Sequence, residues 1–570
     1  MIKSFSFLLL LTLGTSLSAQ FYDNHWMLGY AGGDQSAAND SFGVSILSFF
    51  DAELRIVNNQ EIDLFFQDGN TLSDSEGNLL MYSNNREIRN AQDQLIVNGL
   101  LEQNGDSEQI LPQTFVYLPF DSFDLVHYVQ MTYTNGFPQL GQNLSSSFIN
   151  TRGTIGIFEQ IENILPDALS TGELTACRHA NGRDWWVLAT VANEPFVYSA
   201  LLNPDGVTLT DTMAVAYDMQ SGLGQAKFSP DGNHYIRYNN VRIGADDYLD
   251  IFDFDRGTGQ LSNHRHTNVG SDARAGGIAV SPSSQYLYVS HYNHVFQYDL
   301  WAGNIFNTKD TVAIYDGFQE WNSFSSRFYL AELAPDGKIY LNSPTSLTKL
   351  HVIESPDEKG LACDVRQHSI HLPNYNISTL ANHPNYRLGP IDGSPSDTLG
   401  IDNLPIAYYR IDRSPEDTLS FSFQDLSFYE PMNWSWTFGD GGSSNDRYPI
   451  HSYISTGIYE VCLTVSNDLG SDTHCRTIEL GPVGVEDQST LIFTTFPNPV
   501  QDVLVLDSGD YMPLNGRFKL YDAAGREVFS QQVLYRQASF NLSNLSAGIY
   551  YYSYWDQGKK LDSGKVIREN

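Results

Sequence analysis

Basic residues are scarce in this chain, cysteines scarcer, and the signatures of the best-defined catalytic sites are missing. Lysine and arginine number 32 against 67 aspartates and glutamates, a formal charge of −35. Such a surface repels DNA, RNA and anionic membranes, so none of these is expected as a partner. After the N-terminus no apolar run approaches the ~18 residues of a spanning helix, so no transmembrane segment is expected. HExxH, GxSxG, Walker and CxxC patterns do not occur, which removes the sharpest catalytic signatures. Helical periodicity is nearly absent as well, leaving β-structure as the fold class.

What is present is apolar and aromatic. Hydrophobic residues make up 41% and aromatic residues 13%, including 33 tyrosines and 32 phenylalanines, ample for packing pleated surfaces and incompatible with global disorder. At 570 residues the chain exceeds one ordinary core, and about two to four domains are expected. The N-terminus carries a charged start with Lys3, an apolar run from Phe5 to Leu13 and then "GTSLSAQ". Residues 1–19 therefore read as a signal peptide cleaved after Ala19. No cysteine follows the site, so lipid attachment there is not expected.

Short alternating runs bounded by Gly, Asp, Asn and Ser recur along the chain. The clearest are "SPDGNHYIRY" (Ser229–Tyr238), "SPSSQYLYVS" (Ser281–Ser290) and "APDGKIYLN" (Ala334–Asn342). In each, proline presets φ and a following residue accepts φ > 0, giving a tight turn between two strands. Weaker copies stand at 75–83, 119–129 and 179–189. The spacing of roughly 50 residues is the period of four-stranded propeller blades. With an irregular first sheet, residues 20–390 are expected to form a β-propeller of about seven blades, six or eight remaining open. Residues 391–404, rich in Pro, Gly, Asp and Ser, read as a linker, and 481–490 as a second.

Residues 405–480 contain "WTFGDG", "HSY" and "TGIYEVCLTVSNDLGSDTHC", which closely resemble PKD domains, immunoglobulin-like sandwiches common on secreted bacterial proteins. That resemblance implies that Trp436 is core and that Gly439, Asp440 and Gly441 form a turn. Independently, Cys462 and Cys475 flank a turn-like "NDLG", so a hairpin sets them opposite each other, close enough for a cross-strand bridge. Export permits that oxidation. Two unpaired buried thiols are the alternative. Cys177 and Cys363 support no pairing assignment.

The last module, residues 491–570, differs in charge: it holds eight basic and eight acidic residues, so the acidic excess lies before it. It opens with "FPNPVQDVLVL", in which Pro497 and Pro499 can belong neither to a central strand nor to a helix interior and instead stiffen the entry to a small β-domain. With "KLYDAAGREVF" and "LSNLSAGIYYYSYWDQGKKLDSGKVIRE", it resembles the type A sorting domain of the type IX secretion system. The carrying positions are Phe496, Pro497, Asn498, Pro499, Gly525, Gly548 and Tyr550, with Phe496 standing where the family usually has tyrosine. This resemblance implies a small β-sandwich, the type IX machinery as a partner, and a Bacteroidota-type cell with two membranes. Residues 20–390 resemble a propeller-like region of such exported proteins, through "LSDSEGNLLMYSNNREI", "CRHANGRDWWVLA", "IFDFDRGTGQLS" and "YLYVSHYNHVFQYDL"; here the resemblance implies architecture rather than chemistry.

Candidates for chemistry are few. His264 and His266, two apart on a strand, share a face as a metal site needs, but no third ligand is identifiable and an exposed polar strand is the preferred reading. His291 and His294 are three apart and face opposite ways. Asp246, Asp247, Asp250, Asp253 and Asp255 suggest calcium without the spacing of a calcium loop, and Asp255 is better placed for turn hydrogen bonds. Trp185 and Trp186 are expected to pack between blades rather than to stack on sugars, because neighbours on a strand point to opposite faces. No catalytic, cofactor-binding or metal residue is assigned. The favoured reading is a non-enzymatic exported binding or adhesion protein, with the PKD module as spacer and glycans or surface proteins as ligands. The alternative is a secreted polysaccharide- or peptide-degrading enzyme using carboxylates in the propeller channel.

Overall fold

The computed structural model describes residues 20–569 except 32–41, 60, 67, 102–111, 121–123, 134–140, 153–154, 162–163, 166–167, 171, 221, 241–245, 272–275, 321–322, 415–416, 481–493, 497–499, 508–515, 523–525, 534–536 and 557–558. The expected signal peptide at 1–19, the linker at 481–490, and Pro497, Asn498, Pro499 and Gly525 lie outside the described residues. The chain forms two compact units, 1–480 and 481–570. No helix of the described residues is long and apolar enough to cross a membrane.

Seven antiparallel sheets follow one another along the first unit, spanning 25–59, 70–100, 115–161, 175–219, 223–270, 276–314 and 331–376. Among the described residues the first has three strands and the others four, the second and third joined into one eight-stranded sheet, and a two-stranded sheet of Gln319–Glu320 and Phe324–Ser325 precedes the last. Successive innermost strands are neighbours around a common axis, the arrangement of a seven-bladed propeller. In blades 2 and 3 the outer edges touch, Gly156 pairing in parallel with Val97, so the two sheets run together.

The repeated turns sit between the first and second strands of their blades. In five of them an Asp, Asn or Ser side chain accepts the amide two residues on: Asp74 from Glu76 (3.0 Å), Asn181 from Arg183 (3.0 Å), Asp231 from Asn233 (3.1 Å), Ser283 from Gln285 (3.3 Å) and Asp336 from Lys338 (3.0 Å); the turn of the 119–129 copy lies outside the described residues. Trp185 and Trp186 point to opposite sides of blade 4. Trp185 donates to the Pro119 carbonyl of blade 3, and Trp186 to the Arg256 carbonyl of blade 5. Both are buried, so the pair packs blade against blade.

Closure of the ring comes from the segment after the last blade. Leu380 and Ala381 pack with Trp26, Leu47 and Phe49 of blade 1 and with Tyr340 and Leu350 of blade 7. Here the chain passes between the first and last blades. Asn382, buried, donates to the carbonyls of Phe115 (3.2 Å) and Leu174 (3.0 Å), and its own carbonyl accepts from Asn70 (2.6 Å). Gln113 reaches Asn382 Oδ1 at 2.8 Å, donates to the Ala226 carbonyl and accepts its amide. Gln225 completes the set, accepting from the amides of Ile278 and Ala331 and donating to the Ala331 carbonyl. Three carboxamides thus tie the innermost strands of blades 2 to 7 together. The open channel that the enzymatic alternative requires is, at this level, filled by chain and hydrogen bonds.

Residues 409–480 form the expected sandwich, a three-stranded and a four-stranded sheet around Tyr409, Phe423, Trp436, Phe438 and Leu463. Cys462 and Cys475 are opposed in register and joined by a disulfide, whereas Cys177 and Cys363 are buried free thiols. Gly439 has φ 79° and lies against the Glu460 backbone, where an added Cβ would meet its amide nitrogen at 2.7 Å, so the "GDG" turn requires glycine there. The sandwich does not stand off as a spacer, because it is built onto the propeller. Tyr408 OH accepts from the Ala52 amide at 2.5 Å, Arg410 donates to the Asp336 carbonyl, and Arg476 pairs with Glu53. Tyr408, Phe428 and Tyr429 bury a small shared core with Ala52.

The second unit has its own two sheets and a core that includes Leu504, Phe518, Phe540, Tyr552, Tyr554 and Val566. Phe496 ends its first strand. Gly548 and Tyr550 lie on the strand Gly548–Asp556, and the Tyr550 hydroxyl donates to the Ser546 carbonyl at 2.8 Å.

Replacing Gln225 with leucine leaves the Ile278 amide and both Ala331 backbone groups without this partner in a dry interior. At about 1–3 kcal/mol per unpaired group, several kcal/mol of stability should be lost. Gln260→Ala, which removes only an exposed bond to Asp211, should change it by less than about 0.5 kcal/mol. Denaturant unfolding of residues 20–480 checks this; equal effects would remove the axial amides from their assigned role.

Burial also makes the stability of the propeller depend on pH. It holds the imidazoles of His127, His351 and His383 down at about 4, about 3 and about 4, against an ordinary 6.5. Below pH 6.5 the unfolded chain takes up protons that these folded sites refuse until pH is near 4 or below. The histidines' contribution is therefore complete above pH 6.5 and falls as pH drops from there, by up to about 1.4 kcal/mol per pH unit for each, while the burial that pushes the Asp68 and Glu332 carboxyls up to about 7 acts in the opposite sense over the same range. Between pH 6.5 and 4.5 the melting midpoint of residues 20–480 should drop in wild type relative to His351→Gln, and parallel curves would contradict this origin.

Candidate functional site

Docking of the sandwich on the propeller encloses a cleft of about 590 Å³. Its floor is the axial end of the propeller, with Asp23, Lys227, Glu332, His383 and Arg387. Its walls are the inter-strand turns of blades 5, 6 and 7 on one side and residues 424–430, Arg447 and Tyr448 of the sandwich on the other. A cavity of this size accommodates a small ligand or part of a polymer.

The cations in the cleft are all engaged. Arg387 grips Asp23 through two bonds of 2.7 and 2.6 Å, and Lys227 pairs with Glu332 on the floor. Arg256 donates to the carbonyls of Arg178 and Gly389, Arg410 pairs with Asp412 at 2.9 Å, and Arg447 with Asp425 at 2.8 Å. Burial pushes the Glu332 carboxyl up to about 7 against the pull of Lys227. Two aromatic rings stand out from this charged lining. Trp301 is 63% exposed and Tyr448 48% exposed, with the Arg447 guanidinium 5.1 Å from the Tyr448 ring.

A second constellation crosses blade 5. Cross-strand pairing sets Ala226, Arg237, Asp250 and His266 in one rung, from the innermost strand to the outer edge. Asp250 Oδ1 lies 2.8 Å from His264 Nε2 and 2.7 Å from His266 Nδ1, and Oδ2 lies 3.4 Å from Arg237. Arg237 is itself buried and paired with Glu173 of the neighbouring blade. Burial opposes ionisation of Asp250, but the two imidazoles and Arg237 outweigh it and hold the carboxyl down at about 2. The third partner of His264 and His266, which sequence inspection did not identify, is therefore Asp250, and the three ligand atoms lie within 4.8 Å of one another.

The signal for it was a hairpin count. Folding the chain about "DRGTGQ" pairs Asp255 with Gln260, and a register shift between Ile251 and Asp253 then turns His266 to the face of Asp250. Asn263, at φ 50°, stands where the outer strand makes this bulge. An unbulged count would put Arg265 opposite Asp250.

The remaining aspartates do not form a calcium loop. Asp247, Asp250, Asp253 and Asp255 lie along one strand, Asp247–Asp255. Asp247 pairs with His291 at 2.9 Å, Asp253 with Arg265, and Asp255 accepts from Gly257 and Thr258 in the turn. His294 stacks on Phe296 and takes no part.

Residues 405–481 match the PKD domain family, and residues 494–568 match the secretion system C-terminal sorting domain family. Over 77 residues the chain is 34% identical to the pre-pro-metalloprotease PrtV of Vibrio cholerae, a stretch that is 13% of this chain. The chain spans about 8% of the length of the curated relatives it matches. Among solved structures it is similar to the PKD1 domain of that metalloprotease, at 32% identity, covering 14% of this chain and 99% of the domain with a TM-score of 0.13. It is also similar to a functionally unknown protein from Desulfotomaculum acetoxidans, at 16% identity over 63% of this chain and 99% of that one, with a TM-score of 0.36. The terminal module directs the chain to the cell surface or the extracellular space, and the chain carries a PKD domain ahead of that secretion system C-terminal sorting domain.

Proposed function

We propose that this is a non-enzymatic binding or adhesion protein that takes a neutral glycan into the cleft between propeller and PKD domain. The observation that carries this reading is the cleft's chemistry: each lining cation is already engaged, while Trp301 and Tyr448 leave aromatic surface exposed, Tyr448 beside the Arg447 guanidinium. An anionic ligand would have to break existing ion pairs to be neutralised. A neutral sugar needs flat apolar faces to stack on and dispersed polar groups to bond, and finds both here. The chain's acidity excludes polyanions on the same side of the argument.

The competing reading is a hydrolase at the same place. What favours it is the Glu332 carboxyl, pushed up to about 7 beside Lys227 and His383 on the cleft floor. Its burial at 4% exposure keeps it from a substrate in this conformation, so binding is the reading adopted.

Titrating residues 20–480 with soluble neutral glucans and mannans tests both readings. Binding should show little dependence on salt, weaken by about tenfold or more in Trp301→Ala as befits loss of a principal aromatic contact, and release no product. Product release that disappears in Glu332→Gln would replace the binding reading with the hydrolase; affinity unchanged by Trp301→Ala would move the ligand out of the cleft.

The terminal unit, with its own core, is proposed to act only as an export address. Deleting residues 491–570 should leave the first unit folded and held in the periplasm. Fractionation that finds the truncated chain at normal levels on the surface or in the medium would contradict this.

A further inference from the structure

We propose that Asp250, His264 and His266 form a binding site for a divalent cation of the zinc class at the outer edge of blade 5. The inference is independent of the ligand cleft. Two imidazole nitrogens and one carboxylate oxygen, from adjacent strands, converge on one point, with Asp250 Oδ1 2.8 and 2.7 Å from the two nitrogens. Ligand atoms around a tetrahedral zinc ion, at about 2.0–2.2 Å from the metal, lie about 3.4 Å apart. Accepting the ion therefore asks each imidazole nitrogen to draw back from Asp250 Oδ1 by about 0.6 Å, and asks the two nitrogens, which lie within 4.8 Å of each other, to settle at about 3.4 Å.

The rings are held in place for it. His266 is sandwiched between Tyr217 (4.5 Å between centroids) and Tyr248 (4.9 Å), and His264 lies flat on Phe252 at 4.1 Å. Behind the carboxylate, Arg237 bonds Oδ2 and is anchored by Glu173, which fixes the ligand's orientation as outer-sphere partners do. Glu173 and Asp250 set two carboxyl groups against the single Arg237 guanidinium, an acidic surplus that suits a cation there.

The donor set selects the metal. Two nitrogens and one oxygen suit zinc, cobalt, nickel or copper, whereas calcium needs six to eight oxygens and magnesium an octahedron of them. His264 is nearly buried at 7% side-chain exposure, but His266 is 20% exposed and Tyr217 49% exposed. Solvent can therefore supply the remaining coordination position. The ion would staple the outermost strand, Gln260–Gly270, to the strand inside it.

The test uses the full chain stripped of metal by a chelator and titrated calorimetrically with zinc chloride, with cobalt(II) as a spectroscopic substitute. One ion should bind per chain, raise the melting midpoint, and give cobalt a low-symmetry visible spectrum. His266→Gln leaves the buried Arg237, Asp250 and His264 in place and should fold. In it affinity should fall by more than the roughly 10–100-fold that outer-sphere changes cost, and the cobalt spectrum should vanish. His264→Gln should behave alike. Failure of the wild-type chain to bind a single zinc ion would overturn the proposal. So would equal affinities in wild type and a folded His266→Gln, which would show zinc held by the other histidines and the cluster serving only as a hydrogen-bonded brace.

Discussion

The first unit depends on the satisfaction of backbone groups at the propeller axis. Seven sheets arranged radially bring innermost strands close together without pairing them, so their amides and carbonyls face a dry interior with no ladder to join. Gln113, Gln225 and Asn382 answer that need, each offering a donor and an acceptor on one planar group. An apolar plug would fill the same space but strand the backbone groups around it. The axial segment therefore does two things at once: Asn382 satisfies blades 2 to 4, while Leu380 and Ala381 seal blade 1 to blade 7.

That filled axis moves any ligand site outward. With carboxamides occupying the centre, concavity survives where another element is set over the propeller's end, and the PKD sandwich is that element. Its docking uses the same turns that define the blades. Gly337, in the turn of blade 7, has an open side against which Leu426 packs, an added Cβ lying 2.6 Å from Leu426 Cδ2. A turn residue chosen for φ > 0 thus also serves as a contact surface, and the cleft is a product of both domains. The ion pairs within it follow from the same economy: a charge brought under a second domain loses water and must find a partner.

What was legible in the sequence was whatever repeats or is local. The Pro-Asp-Gly turns, the alternation that splits Trp185 from Trp186, and the opposed Cys462 and Cys475 all follow from short-range rules, and each has its expected counterpart. The axis was illegible because Gln113 and Gln225 occupy no repeated position and Asn382 lies beyond the last blade. Those residues meet only when all the blades are assembled. The PKD module read as a spacer because flanking Pro, Gly and Asp residues look like linker, whereas Asn403 among them is buried and bonds the Pro390 carbonyl. The Asp250 cluster fell between these cases: its hairpin is local, but one bulge at Asn263 decides which residue faces the histidines, and nothing in an alternating pattern announces a bulge.

Charge placement adds a last constraint on how these parts work together. The acidic excess belongs to the chain before residue 491, and the terminal unit is balanced. Several acid groups that enter the interior are matched by cations: Glu173 and Asp250 by Arg237, Glu332 by Lys227, Asp23 by Arg387. Negative charge on the surface contributes solubility and repulsion of polyanions rather than fold stability. A charge-balanced terminal unit with a core of its own therefore adds nothing to that acidic excess, and the two charge regimes belong to two separate hydrophobic cores.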